Sequence, residues 1–218
     1  EKITVLYGDV EPVARIAVPI LILGEAGTGK EHVARTLHRY SGRTGGMVAI
    51  NCSSIPGGLF ESELFGCVKG AFNNAVDKAG KLEMAEGGTC FLDEVGDMSL
   101  ESQPKLLRFI EDQEITRLGD TKTRRVDVRL IAATNQDLKD MIRRSAFRKD
   151  FYERLACIRL ELPPLRERKE EIPVLTDYFL EHFSQTYGWR IPGISQSARE
   201  ILEAYDWPGN IRELRNVL

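Results

Sequence analysis

The 218-residue sequence has no run of about 18 apolar residues, so no part of it is expected to cross a membrane as a helix. Its first residues lack the succession of basic, apolar and small residues that marks a secretory signal. It has no excess of positive charge. The 30 Lys and Arg stand against 33 Asp and Glu, and the net charge of −3 gives no electrostatic ground for strong sequence-independent binding of nucleic acid by this stretch. Cysteine is scarce and scattered. Cys52, Cys67, Cys90 and Cys157 form no C-x-x-C pair, which argues against a metal or disulfide framework and for a reducing, cytoplasmic setting. A methionine is missing at position 1, and the sequence stops inside a helical pattern at Val217-Leu218, so one domain of a longer protein is expected. The remaining composition, 42% hydrophobic and 29% charged, is that of a globular chain with room for one large core and a small appended domain.

What is present is organised around Gly24-Glu25-Ala26-Gly27-Thr28-Gly29-Lys30-Glu31. The apolar run 18–23 precedes it, and Val33, Ala34 and Leu37 follow at the spacing of one helix face. Strand, glycine loop and helix form the context of a phosphate-binding P-loop. Glycine lets backbone N–H groups turn inward at a helix N-terminus, and Lys30 adds a point charge for the β- and γ-phosphates. Gly24, Gly27, Thr28, Gly29 and Lys30 are therefore candidate nucleotide-binding residues. Glu31 stands where a Ser or Thr hydroxyl would ordinarily meet Mg²⁺, which points to an unusual metal shell.

Short apolar runs recur at 19–23, 48–50, 89–92, 128–133 and 158–162, with helical stretches between them. This pattern predicts an α/β fold whose parallel, five-stranded sheet is covered by helices, with ligands at the carboxyl ends of the strands. Asn51, Asp93-Glu94 and Thr134-Asn135 occupy such ends. An apolar strand followed by two acids resembles a Walker B arrangement, with Asp93 for the metal and Glu94 to polarise an attacking water. Asn135 is a candidate γ-phosphate or water sensor, although Asn also serves commonly as a turn residue or helix cap. Arg148 and Arg154 stand six apart among aromatics. Their planar forks suit phosphate contact from a neighbouring subunit, as well as a solvated helix face. Pro163-Pro164 marks a boundary that divides the chain into a 1–163 core and a 164–218 helical lid, with Arg212 near the start of the last lid helix.

The order of these motifs, with Glu63-Leu64-Phe65-Gly66, Lys69-Gly70-Ala71-Phe72, Pro164-Leu165-Arg166-Glu167-Arg168 and Trp207-Pro208-Gly209-Asn210-Ile211-Arg212-Glu213-Leu214, resembles the central AAA+ domain of bacterial enhancer-binding proteins, the NtrC-like activators of sigma-54 RNA polymerase. A glutamate at the position of Glu31 is usual there. The resemblance implies that Gly27, Gly29 and Lys30 hold the phosphates of ATP, Asp93 serves Mg²⁺ and Glu94 activates water. It makes Asn51 the residue that restrains Glu94, Thr134 and Asn135 sensor I, Arg148 and Arg154 the arginines that reach a neighbouring subunit, and Arg212 sensor II. It further implies a homo-oligomeric ring, hexameric or heptameric, a sensor domain before this stretch, and a helix-turn-helix after it through which DNA is bound.

Two departures stand out. The partner-contacting loop, Gly-Ala-Phe-Thr-Gly-Ala in the family, is Gly70-Ala71-Phe72-Asn73-Asn74-Ala75 here. Phe72 is kept, while Asn73 and Asn74 replace Thr and Gly. This leaves two expectations: an ATPase that remodels sigma-54 holoenzyme, or a regulator of the same descent that acts with sigma-70 polymerase and uses the fold as a nucleotide- or cyclic-di-GMP-responsive assembly module. The second departure is Pro104, inside the helical pattern 100–110. It would cost about 3 kcal/mol in a helix interior and is tolerable only in the first turn of a helix that begins near Ser102.

Overall fold

Isoleucine, leucine and alanine line both faces of the central strands, as a parallel sheet covered on both sides requires. The computed structural model describes residues 3–5, 10–73, 75–191 and 193–218. Its main sheet contains β1 (Ile3–Val5), β2 (Ile20–Leu23), β3 (Met47–Asn51), β4 (Thr89–Asp93), β5 (Arg129–Thr134) and β6 (Ile158–Glu161), in the order β1-β6-β2-β5-β4-β3. Every neighbouring pair is parallel. The five expected runs are β2 to β6. The sheet gains a sixth strand in β1, whose three residues are too few to display a period in sequence. All of β5 is buried, whereas the edge strand β3 is partly exposed. Leu23 lies beside Thr134, and Asn51 beside Asp93, so the carboxyl ends of β2 to β5 share one edge.

The helix α1 (Lys30–Tyr40) follows the glycine loop directly. A second, α2 (Gln103–Asp112), is preceded by Ser102 and holds Pro104 in its first turn, where the missing N–H costs no intrahelical bond. That is the start the proline demanded. Phe109 of α2 and Phe151 of α3 (Lys149–Leu155) lie in one buried cluster with Leu92 and Leu106. Two small antiparallel hairpins, Gly66–Cys67 with Lys78–Ala79 and Glu114–Thr116 with Thr123–Arg125, were not foreseen. Legs of two or three residues carry no readable alternation. The first hairpin closes the Phe72 loop. Asn74 lies outside the described residues.

The chain divides into two compact units, one of Glu1–Leu23 and Glu31–Glu161, the other of Gly24–Lys30 and Leu162–Leu218. The second unit thus groups the glycine loop with the C-terminal helices α4 (Ile172–Tyr187), α5 (Gln196–Ala204) and α6 (Asn210–Val217). Gly188 closes α4 in the left-handed region, and the Ser195 hydroxyl caps α5 by accepting from the Ala198 N–H at 3.3 Å. Leu165, Ile172, Trp207 and Leu214 form this unit's buried core, with Leu175, Leu202 and Ile211 packed against it.

Candidate functional site

At the carboxyl edge of the sheet, β4 ends in Asp93 and the chain turns sharply at Glu94. Glu94 has φ 52° and ψ 52°, a left-handed conformation that costs a residue with a Cβ roughly 1–2 kcal/mol. The turn is held from both sides: Asp93 Oδ1 accepts the Glu94 N–H at 3.1 Å, and Glu94 Oε2 accepts the Asn135 N–H at 3.2 Å. The Asn135 contribution here is its backbone amide, and its side chain is exposed. Thr134 is fully buried, and its hydroxyl accepts the Gln136 N–H at 3.1 Å. Asn51 stands beside Asp93 in register, and its carboxamide oxygen accepts from the N–H and the hydroxyl of Ser53, at 2.9 and 2.7 Å. The predicted acids, sensor pair and asparagine are thus brought to one strand edge of the first unit.

The glycine loop has the backbone its sequence asks for. Gly27 (φ 80°) and Gly29 (φ 98°) lie in the left-handed region, and a Cβ on Gly27 would collide with the carbonyl oxygen of Gly209 and crowd Arg212. The Lys30 ammonium is buried and donates to the Gly24 and Glu25 carbonyl oxygens at 3.0 and 3.2 Å. Thr28 is buried too, its hydroxyl donating to Glu25 O at 2.8 Å. Glu31 begins the exposed face of α1 and takes Arg35, one turn on, at 2.6 Å. Arg212 is exposed on the first turn of α6.

The two candidate arginines are solvent-facing and hold carboxylates of their own chain. Arg148, at the N-terminus of α3, donates from Nε and Nη2 to Asp150 at 3.0 and 2.6 Å, and Arg154 donates to Glu111 at 3.1 Å. Exposed pairs of this kind are weak and exchange readily. Phe72 is 42% exposed at the tip of its loop, and Asn73 beside it is exposed.

Sequence reasoning missed the residues around the glycine loop. The Glu25 carboxylate is gripped by both ends of the Arg166 guanidinium, at 2.9 and 2.7 Å, and accepts from Asn210 Nδ2 at 3.2 Å. Arg166 first, and then Asn210, lower the Glu25 carboxyl to about 2. Asn210 Nδ2 also donates to Ala26 O, Asn210 Oδ1 accepts the Leu165 N–H, and Arg168 Nη2 donates to Thr28 O. The motifs around Arg166 and Asn210 were visible as patterns, but no periodicity links residues so far apart.

A glycine loop after a buried strand, with acids ending another strand of the same parallel sheet, defines the class as a P-loop nucleotide-binding domain. Comparison with known proteins supplies the family. Residues 1–161 match the sigma-54 interaction domain, and residues 166–218 the AAA+ ATPase lid domain. The chain belongs to the sigma-54 interaction domain family. It is 54% identical over 201 residues to the alginate biosynthesis transcriptional regulatory protein AlgB of Pseudomonas putida, a match spanning 91% of this chain and 45% of AlgB. It is 50% identical to the formate hydrogenlyase transcriptional activator FhlA of Escherichia coli, over 96% of this chain and 31% of FhlA. The chain therefore spans less than half the length of these relatives. Among solved structures, NtrX from Brucella abortus in complex with ATP superposes with a TM-score of 0.86 at 41% identity, covering 95% of this chain and 47% of NtrX. Hsp104, at 20% identity and a TM-score of 0.69, shares the fold.

Proposed function

We propose that this domain binds ATP with Mg²⁺, hydrolyses it within a homo-oligomeric ring, and uses the cycle to remodel sigma-54 RNA polymerase holoenzyme in the cytoplasm. The observation that carries the reading is Glu94: a strained glutamate at a strand end, its carboxylate fixed by the Asn135 amide, in a chain of the sigma-54 interaction family. A carboxylate so held is suited to orient a water and accept its proton.

The residues present fit the nucleotide and its metal. Gly27 leaves no space for a side chain, Gly29 takes a φ of 98° that disfavours one, and Lys30 supplies charge beside them. No cluster of three or more His, Cys, Asp or Glu able to hold a metal occurs among the described residues. Mg²⁺ takes one or two carboxylates together with phosphate oxygens and water. Asp93 is the carboxylate we assign to it. Bound Mg²⁺ would neutralise phosphate charge that develops during transfer. Gly24, Gly27, Thr28, Gly29 and Lys30 hold the phosphates, Glu31 follows as the second residue of α1 and completes the nucleotide-binding set, Asn51 restrains Glu94, and Asn135 and Arg212 report on the γ-phosphate. Arg148 and Arg154 exchange their present carboxylates for a neighbouring subunit's nucleotide, which makes turnover depend on assembly. Phe72 is the contact with polymerase, with Asn73 and Asn74 modifying it. DNA is bound through a domain outside this chain. ATP complexation in the NtrX structure and the transcriptional roles named for AlgB and FhlA support the same reading.

The test is ATP hydrolysis by the intact protein as a function of its concentration. We expect turnover that rises more steeply than linearly and is abolished by Lys30→Ala or Glu94→Ala. Absence of turnover at concentrations where rings form would sink the enzymatic reading.

A further inference from the structure

The outer side of the glycine loop is fastened by two buried side chains to which neither the motif nor the reading above gives a task. Asn210 is fully buried, with φ 54°, a conformation asparagine tolerates better than most residues. Its carboxamide has one consistent orientation: Oδ1 accepts the Leu165 N–H at 2.7 Å, while Nδ2 donates to Ala26 O at 3.0 Å and to Glu25 Oε2 at 3.2 Å. Arg168, 4% exposed, donates from Nη2 to Thr28 O at 2.8 Å and from Nη1 to Glu171 at 3.1 Å.

The consequence follows from the planarity of the peptide group. Across a trans peptide, the C=O of one residue and the N–H of the next point in opposite directions. With Ala26 O turned toward Asn210, the Gly27 N–H is turned away from it. With Thr28 O turned toward Arg168, the Gly29 N–H is likewise turned to the loop's other side. These are amides of the two left-handed glycines, whose backbones would otherwise be the freest in the loop.

We propose that Asn210 and Arg168 are positioning residues that lock the Ala26–Gly27 and Thr28–Gly29 peptide planes, so that both glycine amides face the phosphate cradle before a nucleoside triphosphate arrives. The inference rests on the assignment of Gly24–Lys30 as a nucleotide site. Its physical content is preorganisation: a loop ordered in advance loses less conformational freedom on binding.

The test compares the intact wild-type protein with Asn210→Asp and Arg168→Met. Each variant removes the donor from one carbonyl, and Asp keeps the acceptor for the Leu165 N–H. Equilibrium titration should show the dissociation constants of ATP and ADP rising about tenfold, the scale of one hydrogen bond to a group that then reorients. KM for ATP should rise by a similar factor, while kcat at saturating ATP falls less than about threefold, because bound phosphates can turn the planes back. A folded variant whose kcat falls while its KM for ATP stays at the wild-type value would overturn the positioning role. So would wild-type dissociation constants in a folded variant. Should Asn210→Asp fail to fold, Arg168→Met decides by the same criteria. A wild-type protein that binds no ATP would sink the site assignment itself, and the proposal with it.

Discussion

Glu25 and Arg166, 141 positions apart, face each other through two hydrogen bonds of 2.9 and 2.7 Å, one to each carboxylate oxygen. The pair ties the second residue of the glycine loop to the segment that follows Pro163-Pro164. With its side chains 44% and 40% exposed, it contributes little to stability, but it makes the loop sensitive to acid. The Glu25 carboxyl is lowered from its ordinary 4.5 to about 2, with Arg166 as the main cause. A depressed carboxyl stabilises the folded state fully above its unfolded value and loses that contribution as pH falls toward the folded value. The difference in thermal midpoint between wild type and Glu25→Gln should therefore be constant above about pH 5 and shrink between about 4.5 and 2. A difference independent of pH across that window would show that the ionised carboxylate contributes nothing.

The strand-edge geometry separates Asn135 from Glu94 in their effects. Asn135 reaches Glu94 through its backbone N–H, which Asn135→Ala keeps. Glu94→Gln removes the proton acceptor. A positioned base contributes about 10²–10⁴ in rate, so kcat should fall by at least about a hundredfold in Glu94→Gln and by distinctly less in Asn135→Ala. Equal losses in steady-state ATPase assays would mean that the Asn135 side chain, and not its amide, matters to the water.

Trp207 is 2% exposed, packs in the small core with Leu165, Ile172 and Leu214, and donates its indole N–H to Leu202 O at 2.7 Å. Trp207→Ala should cost about 3–5 kcal/mol in urea unfolding, and Trp207→Phe less. A loss below about 1 kcal/mol would mean that this core closes around the gap.

The thiols should differ sharply in reactivity. Cys52, Cys67 and Cys90 are buried and Cys157 is exposed. Burial pushes the Cys90 thiol up to about 12 and the Cys52 thiol up as well, so neither offers a thiolate at neutral pH. Under native conditions an alkylating reagent should label Cys157 alone, as mass spectrometry of the intact chain can establish. Rapid labelling of Cys90 would reveal opening of β4.

Partner choice is tested at Asn73. In transcription reconstituted with sigma-54 or sigma-70 holoenzyme, family membership leads us to expect activation with sigma-54. Asn73→Thr, which restores the methyl and hydroxyl usual at this contact, should strengthen it. Activity confined to sigma-70 would overturn the polymerase assignment.

Much of this was legible in the sequence because it is local. Strands apolar on both faces, a glycine loop before a helix, two acids ending a strand and a proline that dictates its helix start all lie within a dozen residues. What escaped depends on distance or on backbone. The carboxylate of Glu94 is met by a main-chain amide, which no side-chain motif encodes. Asn210 reads as part of a turn before a helix, yet its carboxamide bridges Leu165 and Ala26. The ion pair of Glu31 with Arg35, one turn on, is also a side-chain contact that the loop motif does not announce. The hairpin around Phe72 escaped because its legs are two residues long.

Those short legs carry a consequence of their own. The Phe72 loop leaves and rejoins the body at Gly66 and Gly80, whose backbones meet so closely that a Cβ on either would strike the other strand. The first part of the loop is held a second time, where the Val68 N–H donates to Leu118 O at 3.0 Å and Ala71 lies against Gly119, which leaves Phe72 and Asn73 beyond both attachments. The tip can therefore be exchanged as a cassette while the rest of the domain keeps its sequence, so a lineage could retarget the machine by rewriting a few codons. Asn73 and Asn74 are where such a rewriting would be written.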